Sequence, residues 1–172
     1  MRLTIMPAGI MALVCLGCGS DNKGASSPPV ATEPLQIHGI TVPPTPPSDT
    51  MNATLIGVDK NTNGVRDEVD RALAQSYGAS ASEYNAAVTF AASEQKWLLA
   101  AAGDQSSAKA MVLAELSSYG CLKSKVGTDR ARIVADEVEL RTFNINSRIR
   151  ERRKLLQMAG VFELPIAVSE PC

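Results

Sequence analysis

The stretch 129–159, DRARIVADEVELRTFNINSRIRERRKLLQMA, decides the fold class. Val134, Val138, Ile145, Ile149 and Leu156 recur at steps of four and seven, flanked by Leu140 and Leu155, while Asp136, Glu137, Glu139, Arg150 and Arg153 fall elsewhere on the wheel. That repeat predicts an amphipathic helix with one face in a core. Outward from it, no proline occurs between Ser48 and Leu164, and the same region is rich in Ala, Leu, Glu, Lys, Arg and Gln, which lose least on entering a helix. Breaks suited to helix ends stand at Gly78-Ala79-Ser80, Gly103-Asp104, Gly127-Thr128 and Gly160. They delimit expected helices at 65–77, 81–102, 105–126 and 129–159. The second offers Tyr84, Val88, Phe90, Trp97 and Leu98 to a core, and the third Met111, Val112, Leu116, Tyr119 and Leu122. Short connections favour antiparallel neighbours, so the expected fold is all-α, a small up-and-down bundle of about four helices.

Composition sets the limits. The chain has 172 residues, 45% hydrophobic but only 4% aromatic, enough for one core built from Ala, Leu, Val and Ile. The net charge of −1 argues against nucleic acid as a partner. One His excludes a His-based metal cage.

One segment carries chemistry. From Asp59 to Asp70 the sequence DKNTNGVRDEVD places side-chain oxygens at loop positions 1, 3, 5, 9 and 12, with Gly64 at position 6. Asp59, Asn61 and Asn63 on alternate residues converge on a hard cation, Gly64 permits the sharp turn, and Val65 supplies a backbone carbonyl. Asp67 and Asp70 complete the set on the first turn of a helix, where acidic groups also complement the dipole. Val65, Val69 and Leu73 form that helix's apolar stripe. The expected cofactor is Ca2+. The competing expectation is an Asx-rich turn that only caps the helix.

The loop resembles EF-hand-like loops, and more closely the dockerin and thrombospondin-type variants with Asp at the last position. Arg66 stands where paired EF-hands carry an apolar residue, and no second copy follows, so a cooperative sensor or a cohesin-binding dockerin is not expected. With Gly160-Val161-Phe162, Pro165 and Cys172, the region from about Thr54 onward is similar to a group of exported proteobacterial proteins that open with an Asn-Gly-Val-Arg-Asp calcium-type loop. The resemblance implies helical domain limits and a structural Cys172, and no activity.

The N-terminus reads as an address. Arg2 precedes an apolar stretch from Leu3 to Leu16, too short to span a membrane, as in a secretory signal. Cys15-Leu16-Gly17-Cys18-Gly19-Ser20 resembles a bacterial lipobox, which implies a signal peptide over 1–17, lipidation of Cys18 and, from Gly19, an outer-membrane destination. Residues 18–50 hold seven of the ten prolines and predict a disordered tether containing a solvated His38, ahead of a domain at 51–172. In that oxidising compartment Cys121 and Cys172 are expected to pair.

Arg148, Arg150, Arg152, Arg153 and Lys154, with Glu151 among them, give a local +4. The run reads as a solvated face compensating the helix dipole, or as a docking patch for an anionic envelope component. No nucleophile elbow, phosphate loop, His triad or zinc-protease motif occurs, and Glu137 with Asp136 or Glu139 falls on an expected solvent face. The sequence therefore predicts a non-enzymatic, calcium-binding, lipid-anchored cell-envelope protein that meets another envelope protein. The alternative is a calcium-dependent hydrolase or accessory subunit, which a deep polar cleft holding convergent carboxylates would favour.

Overall fold

The computed structural model describes residues 33–100 and 105–161. The expected signal segment, Cys18 and Cys172 lie outside them. The described residues form a two-stranded hairpin, β1 (Leu35–Ile37) and β2 (Ile40–Val42), then six helices: α1 (Ser48–Met51), α2 (Asp67–Tyr77), α3 (Ala81–Leu99), α4 (Gln105–Val126), α5 (Thr128–Thr142) and α6 (Asn146–Ala159). The architecture is a small all-α bundle with α3 packed against α2, α4, α5 and α6.

Several helix ends fall where their residues require. Ser80 caps α3 by accepting the Glu83 N–H at 3.3 Å, and Gly127, at φ +82°, separates α4 from α5. Two apolar clusters follow. Val65, Val69, Leu73, Tyr77, Tyr84, Phe90, Leu122, Val134 and Val138 form the larger one. Trp97, Leu98, Phe143 and Leu155 form the smaller, with Met111 and Val112 against it.

The expected helix 129–159 is two helices. Thr142-Phe143-Asn144-Ile145-Asn146 concentrates residues of low helix propensity, and the chain leaves the helix after Thr142 and re-enters at Asn146. The corner resets the phase. Val134 and Val138 stay buried, but Ile149 and Leu156 are 39% and 42% exposed and Leu140 is 76% exposed. The inward side of α6 is Arg148, Leu155 and Ala159, with Arg152 on the same side.

Part of the expected tether is folded. Leu35-Gln36-Ile37 pairs antiparallel with Ile40-Thr41-Val42, Leu35 opposite Val42. His38 and Gly39, at φ +49° and +80°, make the two-residue turn that matches strand twist. Val42 is fully buried, and Leu35 and Ile37 pack on the larger core. His38 meets the Gly78 carbonyl through Nε2 at 2.9 Å instead of standing free in a linker. Arg71 fixes the hairpin by donating to the carbonyls of Glu33 at 2.7 Å and Pro43 at 3.4 Å. The folded domain therefore starts by residue 33, ahead of the expected boundary at 51.

Candidate functional site

The loop 59–70 curls as its residue types require. Thr62 and Gly64 both take positive φ, +56° and +84°, which turns the side chains of Asp59, Asn61 and Asn63 toward one side. Both oxygens of Asp59 accept backbone N–H groups, Oδ1 from Asn63 at 3.2 Å and Oδ2 from Gly64 at 2.9 Å. Asn63 Oδ1 accepts the Val65 N–H at 2.9 Å. Asp70, buried, is the focus: its Oδ2 accepts Asn61 Nδ2 at 3.0 Å and Asn63 Nδ2 at 2.9 Å, and its Oδ1 accepts the Tyr84 hydroxyl at 2.6 Å.

Two amide N–H groups thus face Asp70 from the side where a cation would be held. Turning both amides over would present Oδ1 in their place, at the loss of the bond that Asn63 Oδ1 accepts from the Val65 N–H. Asp67 is fully buried; its Oδ1 accepts the Lys60 N–H at 2.8 Å, while Oδ2 is buried with no hydrogen-bond partner. Burial raises its pKa, with Asp59 and Glu68 adding to the effect. The donor set is oxygen-rich, short-armed and carries an unused buried acceptor, so it fits a hard cation. It is not a preformed carboxylate cage, since Asp59, Asp67 and Asp70 do not bring one oxygen each within 4.8 Å of one another.

The loop's supports come from far along the chain. Arg66, fully buried, donates to the Arg141 carbonyl at 2.7 Å and pairs with Glu68 at 2.7 Å, and burial lowers its pKa to about 10. Gly57 is required beside it: at φ +73°, a Cβ there would lie 2.2 Å from Arg66 Cδ. Arg148 holds the chain leading into the loop. Its guanidinium donates to the carbonyls of Leu55 at 2.9 Å, Met51 at 2.9 Å and Thr54 at 3.1 Å, and to Oδ1 of Asn52 at 3.1 Å and of Asn144 at 2.5 Å. Gln95 adds a bond to the Ile56 carbonyl at 2.8 Å.

The expected basic patch is corrected accordingly. Arg148 is fully buried and Arg152 is engaged inside the bundle, because both lie on the side of α6 that the corner at 143–145 turns inward. Arg150, Arg153 and Lys154 remain exposed, and Lys154 pairs with Glu151 at 3.4 Å.

A second cluster was not legible in the sequence. Glu94 on α3, Glu115 on α4 and Glu139 on α5 bring one carboxylate oxygen each within 4.8 Å of one another. Arg152 of α6 sits among them, 2.7 Å from Glu139, 3.3 Å from Glu115 and 3.5 Å from Glu94, with its guanidinium carbon 4.6 Å from the Phe143 ring centre. Trp97 Nε1 donates to Glu115 at 2.9 Å. Glu94 is fully buried, and burial with the neighbouring Glu115 raises its pKa to about 8; burial raises Glu115 as well. Glu139 therefore does not pair with Glu137, whose partners are Tyr77, Ser76 and Arg141.

On α4, Cys121 is half-buried. Its expected partner Cys172 lies outside the described residues. No helix among the described residues is long and apolar enough to cross a membrane. Comparison with protein-family models, with curated proteins and with solved structures gives no match.

Proposed function

We propose that this chain is a non-enzymatic, calcium-binding protein of the bacterial cell envelope, anchored by lipid at Cys18, in which the loop 59–70 binds Ca2+ to brace the entry of the bundle. The observation that carries the reading is the convergence of Asn61 and Asn63 on Asp70 beside Asp59, with the buried, unpartnered Oδ2 of Asp67. Asp59, Asn61, Asn63, the Val65 carbonyl, Asp67 and Asp70 would hold the ion. Bound calcium would replace the amide N–H groups as the counter-charge to Asp70. The position favours a structural role, because α2 begins inside the loop and its buried stripe of Val69 and Leu73 starts two residues after Asp67.

The anchor and the outer-membrane location rest on the sequence at 1–20. The bridge from Cys121 to Cys172 belongs to the same reading: an exported chain that has lost Cys15 and acylated Cys18 leaves these two cysteines to pair in an oxidising compartment. The non-enzymatic reading rests on the sequence, which holds no nucleophile elbow, phosphate loop, His triad or zinc-protease motif. The exposed Arg150, Arg153 and Lys154 are what remains of a surface for an anionic envelope component or envelope protein.

Three carboxylates and two amides in one unpaired loop give a Kd on the order of 10⁻⁴ to 10⁻³ M. At millimolar calcium and a Kd of about 10⁻⁴ M, binding stabilises the native state by about 1.4 kcal/mol, a shift in Tm of a few degrees. Thermal melts with calcium and with chelator, on wild type and Asp59→Asn, test it. The shift is expected in wild type and lost in the variant; its absence from wild type leaves the loop a helix cap.

A further inference from the structure

We propose that Glu94, Glu115 and Glu139 form a second divalent-cation site, inside the bundle and independent of the loop. Each comes from a different helix, and Arg152 closes the group from a fourth. Oxygens sharing a hard cation at about 2.0–2.6 Å lie up to about 5 Å apart across it. One oxygen from each of the three glutamates falls within 4.8 Å of the others, which matches that span.

Glu94 supplies a second, independent observation. It is fully buried, and no donor reaches either of its oxygens: its contact with Glu115 is carboxyl to carboxyl and needs a proton, and Arg152 stands only at ion-pair distance, 3.5 Å. The Arg152 donors are spent elsewhere, Nη1 on Glu139 at 2.7 Å and Nη2 on Glu115 at 3.3 Å. A buried carboxylate in that state is costly unless a proton or a cation joins it. Ionised, three carboxylates against one guanidinium leave two negative charges, which one divalent cation neutralises.

The surroundings suit an ion. The Trp97 N–H fixes one oxygen of Glu115, the kind of outer contact that orients a metal ligand. Glu139 is 40% exposed and gives an entry from the surface. An all-oxygen set selects Mn2+, Mg2+ or Ca2+ over softer metals.

The test uses the full mature chain carrying Asp59→Asn, which disables the loop, and Mn2+ as probe. Binding is read from the EPR signal of free Mn2+ and from quenching of Trp97, the single tryptophan. One Mn2+ per chain is expected to bind and to quench Trp97. Adding Glu94→Gln should weaken binding at least about tenfold. Glu139→Gln, on the exposed rim, serves as the second variant should Glu94→Gln not fold. Absence of Mn2+ binding to the Asp59→Asn protein overturns the proposal, as does binding that neither glutamine variant weakens. A Glu94→Gln protein that only melts higher, with no Mn2+ bound to its parent, overturns it in favour of a proton on Glu94.

Discussion

The loop 59–70 offers a cation three carboxylates, Asp59, Asp67 and Asp70, as does the cluster of Glu94, Glu115 and Glu139, and the two solve the same electrostatic problem differently. In the loop the side chains are short and neighbours in sequence, so backbone N–H groups and two amides reach them, and Asp59 and Asp70 have every oxygen engaged. In the cluster the side chains are long, the backbone is locked in helices and offers no donors; Trp97 donates to Glu115, and Arg152, bonded to Glu139 and Glu115 and 3.5 Å from Glu94, is the one cation among three acids. Chain-local acids can be satisfied by local backbone. Acids gathered from separate helices depend on a counter-charge from outside that backbone.

The sharpest way to break this contrast is Arg152→Met. Removing the one cation from a buried acidic group should destabilise the domain by about 3–5 kcal/mol, read by urea denaturation. Asp59→Asn in the loop should cost only about 1 kcal/mol by the same measurement, because the amide keeps an acceptor for one of the two backbone N–H groups and loses the other. Equal losses would remove the distinction between the two regions.

A smaller effect sharpens it through pH. The folded-state pKa of Glu94 is about 8 against an ordinary 4.5, so the folded protein holds a proton that the unfolded chain releases between those values. Its contribution to stability is full below about 4.5 and is lost as pH rises through about 8. In chelator, Tm should fall between roughly pH 5 and 9, and Glu94→Gln should flatten the decline. A wild-type profile level across that range would contradict the assignment.

The smallest effect lies in the loop. Thr62 is a β-branched residue at φ +56°, so Thr62→Gly should raise stability by about 0.5 kcal/mol, the relief of strain exceeding the added chain entropy. A loss of more than about 1 kcal/mol would show that the Thr62 hydroxyl bond to the Asn61 carbonyl outweighs it.

Sequence alone determined what depends on near neighbours. The helix ends at Ser80, Gly127 and Gly160, the stripe of Val65, Val69 and Leu73, and the ring of Asp59, Asn61, Asn63 and Asp70 are set by spacings of a few residues, where chain geometry fixes which side chains meet. The hairpin was legible on the same terms, since His38-Gly39 separates two short alternating runs, but its prolines read as tether. Tertiary structure decided the rest. The corner at 143–145 rotated α6 so that Arg148 and Arg152 face inward in place of Ile149 and Leu156, and no local pattern announces a buried arginine. Glu94, Glu115, Glu139 and Arg152 are widely separated in the chain and meet only because four helices pack in one register, a relation that a periodicity within any single helix does not contain.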